Sequence, residues 1–134
     1  IDNDIIYKDG VYHLFYKGNT KDENGHEYKN GIQQATSESL MGPWVEDFKY
    51  LDAYADTHTA VEGSGVFKLN DKEEYILMYD LYGSGRYEFQ RSADLYTCTE
   101  QPESFTKDFF PRHGTIMSVT AEELERLKAN FQLR

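Results

Sequence analysis

Ile5-Ile6-Tyr7-Lys8-Asp9-Gly10-Val11-Tyr12-His13-Leu14-Phe15-Tyr16 is the stretch on which the fold is read. Two short apolar and aromatic runs flank Asp9-Gly10, a dipeptide suited to the positive φ angles of a tight two-residue hairpin. The aromatic run returns 63 residues later, with Tyr12 and Tyr16 matched by Tyr75 and Tyr79 in Tyr75-Ile76-Leu77-Met78-Tyr79. There the longer polar turn Asn70-Asp71-Lys72-Glu73 takes the place of Asp9-Gly10. Further on, Ser37 and Leu40 match Ser92 and Leu95 at a spacing of 55 residues, because the first copy carries a longer loop from Gly18 to Gly31. Each copy reads as apolar strand, polar turn, aromatic strand, loop, and a strand ending in a serine-containing turn. Units of this length, with three or four antiparallel strands each, predict an all-β protein of propeller blades. The competing architecture is two unrelated meanders of a β-sandwich.

The blade-like copies cover about 1–50 and 61–105, with a closing strand and a helix over about 109–134. Thr115-Ile116-Met117-Ser118-Val119 is the strand-like run of that last part. Thr120-Ala121-Glu122-Glu123 is a capping box, with Thr120 as N-cap and Glu123 at the third helical position. Leu124, Leu127 and Phe131 follow at helical spacing, predicting a short amphipathic helix that packs as a terminal cover.

The chain has 134 residues, the size of one modest domain, and a formal charge of −10 from 24 acids against 14 bases. That balance disfavours nucleic acid and anionic membranes, whose phosphates are bound through clustered Lys and Arg. No run of 18 apolar residues occurs, so no membrane-spanning helix is expected. Eleven Tyr, eight Phe and one Trp supply ample apolar surface for a core and exclude a disordered chain. A single cysteine, Cys98, excludes an internal disulfide framework and any cysteine-based zinc site. Its neighbours in sequence include no base, so it reads as a small structural residue rather than a nucleophile. The chain begins at Ile1 rather than Met, and the expectation is that processing or truncation has removed something.

Carboxylates at the start of each copy are the first candidate chemistry. Asp2 and Asp4 precede the first strand of copy one, and Glu62 precedes that of copy two in Val61-Glu62-Gly63-Ser64-Gly65-Val66. Aligning Ile6 with Val66 places Asp2 on Glu62. Equivalent carboxylates at the innermost strands of adjacent blades would converge on a central channel, an arrangement suited to glycoside hydrolysis. The bland alternative is a set of solvated turn acids in an acidic chain. Arg112-His113-Gly114 is the second constellation, able to grip sugar hydroxyls or to form an ordinary turn. His13 reads as a blade-packing residue, while His26 and His58 read as loop residues. Placing Gly25 sixth in a calcium-loop pattern puts Gly31 where the bidentate Glu belongs, so no EF-hand is present. Gly83-Ser84-Gly85-Arg86 is a hairpin turn and no phosphate-binding loop.

Three segments carry a family resemblance. The run Ile1–Tyr16 resembles the blade of glycoside hydrolase family 43 that holds its second aspartate. Val61-Glu62-Gly63-Ser64-Gly65-Val66-Phe67 resembles the next blade, with the general acid, and Pro111-Arg112-His113-Gly114-Thr115 resembles the late Arg/His strand. Members are five-bladed propellers, and many cleave arabinose- or xylose-containing plant polysaccharides with inversion. The resemblance implies Glu62 as general acid and Asp2 as the aspartate that tunes and holds it, with Asp4 competing for that role. It implies Arg112 and His113 as substrate-binding residues, His113 facing a channel centre where many members hold a calcium ion or an ordered water. No cofactor is otherwise required. Here Gly63-Ser64 replaces the family's frequent Gly-Pro after the acid, and the early blade bearing the general base has no counterpart. The chain is therefore expected to be the C-terminal part of such a propeller, acting on an oligo- or polysaccharide. It would need the missing blades or self-association, and the family's substrates imply a secreted or periplasmic location. A non-catalytic carbohydrate-binding or structural propeller fragment is the alternative, and a glycoside phosphorylase would need more basic residues than Arg86 and Arg112.

Overall fold

The computed structural model describes residues 1–18, 24, 30–54, 59–100 and 112–131. His26, His58, Pro111 and most of the Asp22–Gly25 turn lie outside the described residues. Eight strands and one helix follow in order: β1 (Asp4–Lys8), β2 (Val11–Gly18), β3 (Gly31–Ser37), β4 (Val45–Asp47), β5 (Glu62–Lys68), β6 (Tyr75–Leu81), β7 (Arg86–Ser92), β8 (Thr99–Glu100) and α1 (Ala121–Phe131).

The strands form two four-stranded antiparallel meanders, β1-β2-β3-β4 and β5-β6-β7-β8. Consecutive meanders are how propeller blades are built, and the described residues are all-β apart from the short C-terminal helix. Asp9 and Gly10, at φ of 49° and 91°, close the β1–β2 hairpin with the two left-handed residues that its twist demands. Asp71, at φ 62°, does the same service in the longer β5–β6 turn. The repeat has structural substance: Tyr12 pairs with Ser37, and Tyr75 pairs with Ser92. Each serine then turns the chain, accepting from the amide of Ser39 in one copy and of Leu95 in the other. The equivalence fades at the leucines, since Leu95 is buried whereas Leu40 is 53% exposed.

Between the sheets lies one core, in which Phe15, Ile32 and Leu51 meet Val61, Val66, Leu77, Tyr79, Leu81 and Leu95. β6 is buried along its whole length, as befits a strand covered on both faces. Buried polar groups inside this core are hydrogen-bonded across it. The Tyr79 hydroxyl accepts from the Ala53 amide and the Gln90 side chain, both at 3.1 Å, and burial pushes its phenol up. Gln34 donates to the Leu95 carbonyl and meets His13 Nδ1, both at 2.8 Å. His13 is thus a packing residue as expected, with the Tyr96 ring set edgewise at 5.0 Å.

Two expectations at the C-terminal end are corrected. Residues 114–120 form no strand. Thr115–Val119 instead crosses between the sheets, walling a groove of about 580 Å³ with Asp4–Ile6 of β1 and Val66–Leu69. The segment lies beside β1 and β5, the outer strands of their sheets, without pairing to either. The helix forms with its predicted cap: the Glu123 amide donates to Thr120 Oγ1 at 3.2 Å, and the Thr120 amide to Glu123 Oε2 at 2.8 Å. It covers nothing among the described residues, for no helix residue is buried. Periodicity gives a helix its apolar face, but packing requires a complementary surface within reach.

The buried His13 ring predicts a pH dependence of stability. Burial holds its imidazole below the usual pKa, so the folded chain favours the neutral ring. Between the unfolded value of about 6.5 and the lower folded value, the unfolded state binds more protons. The stabilisation is therefore complete above about pH 6.5 and is lost as the pH falls through the folded value. His13→Gln, compared with the parent by thermal unfolding from pH 7.5 to 5, should flatten that acid-side decline. At pH 7.5 the variant should be less stable by about 1–3 kcal/mol, from the disturbed bond to Gln34.

Candidate active site

The site forms where the first residues of β1 and β5 come together. Ile1 and Lys17 exchange backbone hydrogen bonds of 2.9 and 3.3 Å, while Asp4 stands opposite Phe15. In the second sheet Glu62 stands opposite Asp80 and Gly65 opposite Met78, with a bulge between. Asp2, at φ 57°, and Gly63, at φ 62°, are therefore the equivalent left-handed residues of two matching bulges. This corrects the alignment of Asp2 with Glu62 by one residue. Strand pairing sets Ile5, not Ile6, in the place of Val66, and the two carboxylates converge from neighbouring rather than identical positions.

Convergence is nevertheless close. One ligating atom each of Asp2, Glu62 and His113 lies within 4.8 Å of the others. His113 Nε2 is 3.3 Å from Glu62 Oε1, and its Nδ1 is 3.7 Å from Asp2 Oδ1. The Ser64 hydroxyl donates to the Asp2 carbonyl at 2.7 Å and fixes that bulge against β5. Asp4 is placed differently. Its two oxygens accept from the amides of Ile5 at 3.0 Å and Val66 at 2.9 Å, so it clips the two sheets together and does not join the cluster.

Arg112 and His113 both reach the site. Arg112 Nε lies 2.9 Å from Asp80 Oδ2, leaving a side chain that is 63% exposed anchored on a carboxylate that is 1% exposed. The amide of His113 donates to the Tyr87 hydroxyl at 2.5 Å, and burial pushes that phenol up. The imidazole rests on Gly63: a Cβ there would lie 2.7 Å from the ring. Gly63 thus meets two demands, a left-handed backbone and room for His113.

Sequence reasoning missed Lys17 and Asp80. Lys17 Nζ lies 2.8 Å from Glu62 Oε2 and 3.6 Å from Asp2 Oδ2, and the Glu62 carboxylate holds the ammonium above its usual pKa. Asp80 faces Glu62 from β6 and lies 3.9 Å from His113 Nε2. A signal was present: Tyr16-Lys17 and Tyr79-Asp80 occupy the same place in the two copies, so the repeat carries opposite charges at one equivalent position. Cys98 takes no part, its thiol pushed up to about 11 by burial.

The cluster does not suit a directly ligated calcium ion. Calcium takes six to eight oxygen ligands, whereas this group offers two carboxylates and an imidazole nitrogen. Lys17 already supplies a positive charge to both carboxylates.

Gly63→Ala should destabilise the fold by about 1–3 kcal/mol in urea unfolding, since alanine is strained at this φ and its Cβ displaces His113. Gly83→Ala, where an added Cβ meets nothing within 4 Å, should stay within about 0.5 kcal/mol.

A family model described as a probable glycosyl hydrolase domain, related to glycoside hydrolase family 43, matches residues 1–125. No curated protein matches the chain. The match takes in both sheets, the Asp2–Glu62 pair and the Arg112-His113 segment, and the chain belongs to this family 43-related glycosyl hydrolase family.

Proposed function

We propose that the protein hydrolyses glycosidic bonds of arabinose- or xylose-containing plant polysaccharides with inversion, using Glu62 as general acid. The observation that carries this reading is the meeting of Glu62 with Asp2 and His113 between two blades, within 4.8 Å. Glu62 donates a proton to the departing glycosidic oxygen. Asp2 steadies it through shared contacts with Lys17 and His113. Arg112, anchored by Asp80 through Nε, turns its remaining N–H groups outward to bind sugar hydroxyls.

The water-activating base of this reaction is a carboxylate beyond this cluster. An inverting pair stands about 6.5–9.5 Å apart to admit a water, and Asp2 is too near Glu62 for that. Asp80 is buried and committed to Arg112. The proposal therefore includes further blades, or a second copy of the chain, that bring the base. The exposed Ile5 and Tyr7 of β1, at 42% and 57%, support such a neighbour on the first sheet. A polymeric substrate also favours a secreted or periplasmic location.

Hydrolysis of arabino- and xylo-oligosaccharides by the parent and by Glu62→Gln tests the reading. Natural leaving groups need the acid, so turnover should drop at least about a hundredfold in the variant. Equal turnover in both proteins would remove Glu62 from the role.

A further inference from the structure

We propose that Lys17 is a positioning residue whose ammonium group serves as the built-in cation of the Asp2–Glu62 site, standing where a divalent metal would otherwise bind. As a statement about catalysis this rests on the role proposed for Glu62; as a statement about the cluster it rests on geometry alone. Lys17 Nζ bridges the two carboxylates, at 2.8 Å from Glu62 Oε2 and 3.6 Å from Asp2 Oδ2. Its side chain is only 15% exposed, so the pair is shielded from the screening that weakens surface ion pairs.

The fold brings the charge from elsewhere. Lys17 sits at the end of β2 in the first sheet, while Glu62 opens β5 in the second. At the equivalent position of the second copy stands Asp80, which takes its own cation from Arg112. The two blades thus contribute unlike charges at matching positions, and each carboxylate around the site has a cationic partner from another element.

The assignment also defines which oxygen of Glu62 can carry a proton. An ammonium group has donors only, so it engages Oε2 as an acceptor. The free valence for a proton is then Oε1, the atom that faces His113 Nε2 at 3.3 Å. Lys17 in this way selects the donating atom without touching the substrate.

Manganese(II) suits carboxylate and imidazole donors, and its free-ion electron paramagnetic resonance signal reports binding directly. The parent should show no manganese site that depends on Glu62, its isotherm coinciding with that of Glu62→Gln. Lys17→Met removes the charge and should gain a site at least about tenfold tighter than any in the parent, because an ammonium at this range strongly repels a divalent ion. That site should vanish in Lys17→Met/Glu62→Gln, and Lys17→Arg should behave as the parent. A Glu62-dependent manganese site in the parent would overturn the proposal, as would no gain in both Lys17→Met and Lys17→Gln. Failure of both neutral variants to fold would make Lys17 a stability residue and overturn it too. The hydrolysis assay is independent: unchanged turnover in Glu62→Gln removes the acid and leaves the metal titration standing, and the reverse holds equally.

Discussion

The Asp4 carboxylate accepts hydrogen bonds from the amides of Ile5 and Val66, and through them one side chain ties the first strand of one sheet to that of the next. That clip helps to set the separation of the two strand starts, and with it the approach of Asp2 to Glu62. The bond between Ser64 and the Asp2 carbonyl adds a second tie two residues away on each segment. Both ties use polar groups at a partly buried seam, where an unmade bond costs more than a made one contributes. The seam is therefore held to one register, and the candidate site inherits that register.

Charge pairing at the site follows from the same seam. Carboxylates brought close together repel one another, and a buried one is costly, unless cations compensate them. Lys17 compensates Asp2 and Glu62, and Arg112 compensates Asp80. Arg112 is the more exposed of the two, its side chain 63% exposed against 15% for Lys17. Removing it would leave a buried carboxylate uncompensated. His113 completes the ring of contacts, and its place depends on a glycine rather than on a charge.

Much of this was legible in the chain itself. Asp9-Gly10 announced a hairpin, and the spacing of Tyr12 and Tyr16 to Tyr75 and Tyr79 announced two copies of one unit, because strand pairing and turn chemistry are local. Glu62, Asp2, Arg112 and His113 were readable as candidates from position and resemblance. Lys17 and Asp80 were not singled out, since each sits at the end of an aromatic run where a charge is easily taken for solvated. The one-residue slip between Asp2 and Glu62 was hidden for a different reason. Ile5 and Ile6 are alike in type, and only the pairing of Ile5 with Leu14 and of Val66 with Leu77 shows which of them matches Val66.

By itself the sequence determined the local elements: two similar sets of three or four short strands, a capped helix, and carboxylates poised at two strand starts. These depend on residues near one another in the chain. Tertiary structure alone decided that Asp4 is a clip and Asp2 a member of the site, that Lys17 crosses from one sheet to Glu62 of the next, and that α1 stands uncovered. Those outcomes depend on contacts between residues 45 to 62 positions apart, where register and packing select among side chains that look alike in sequence.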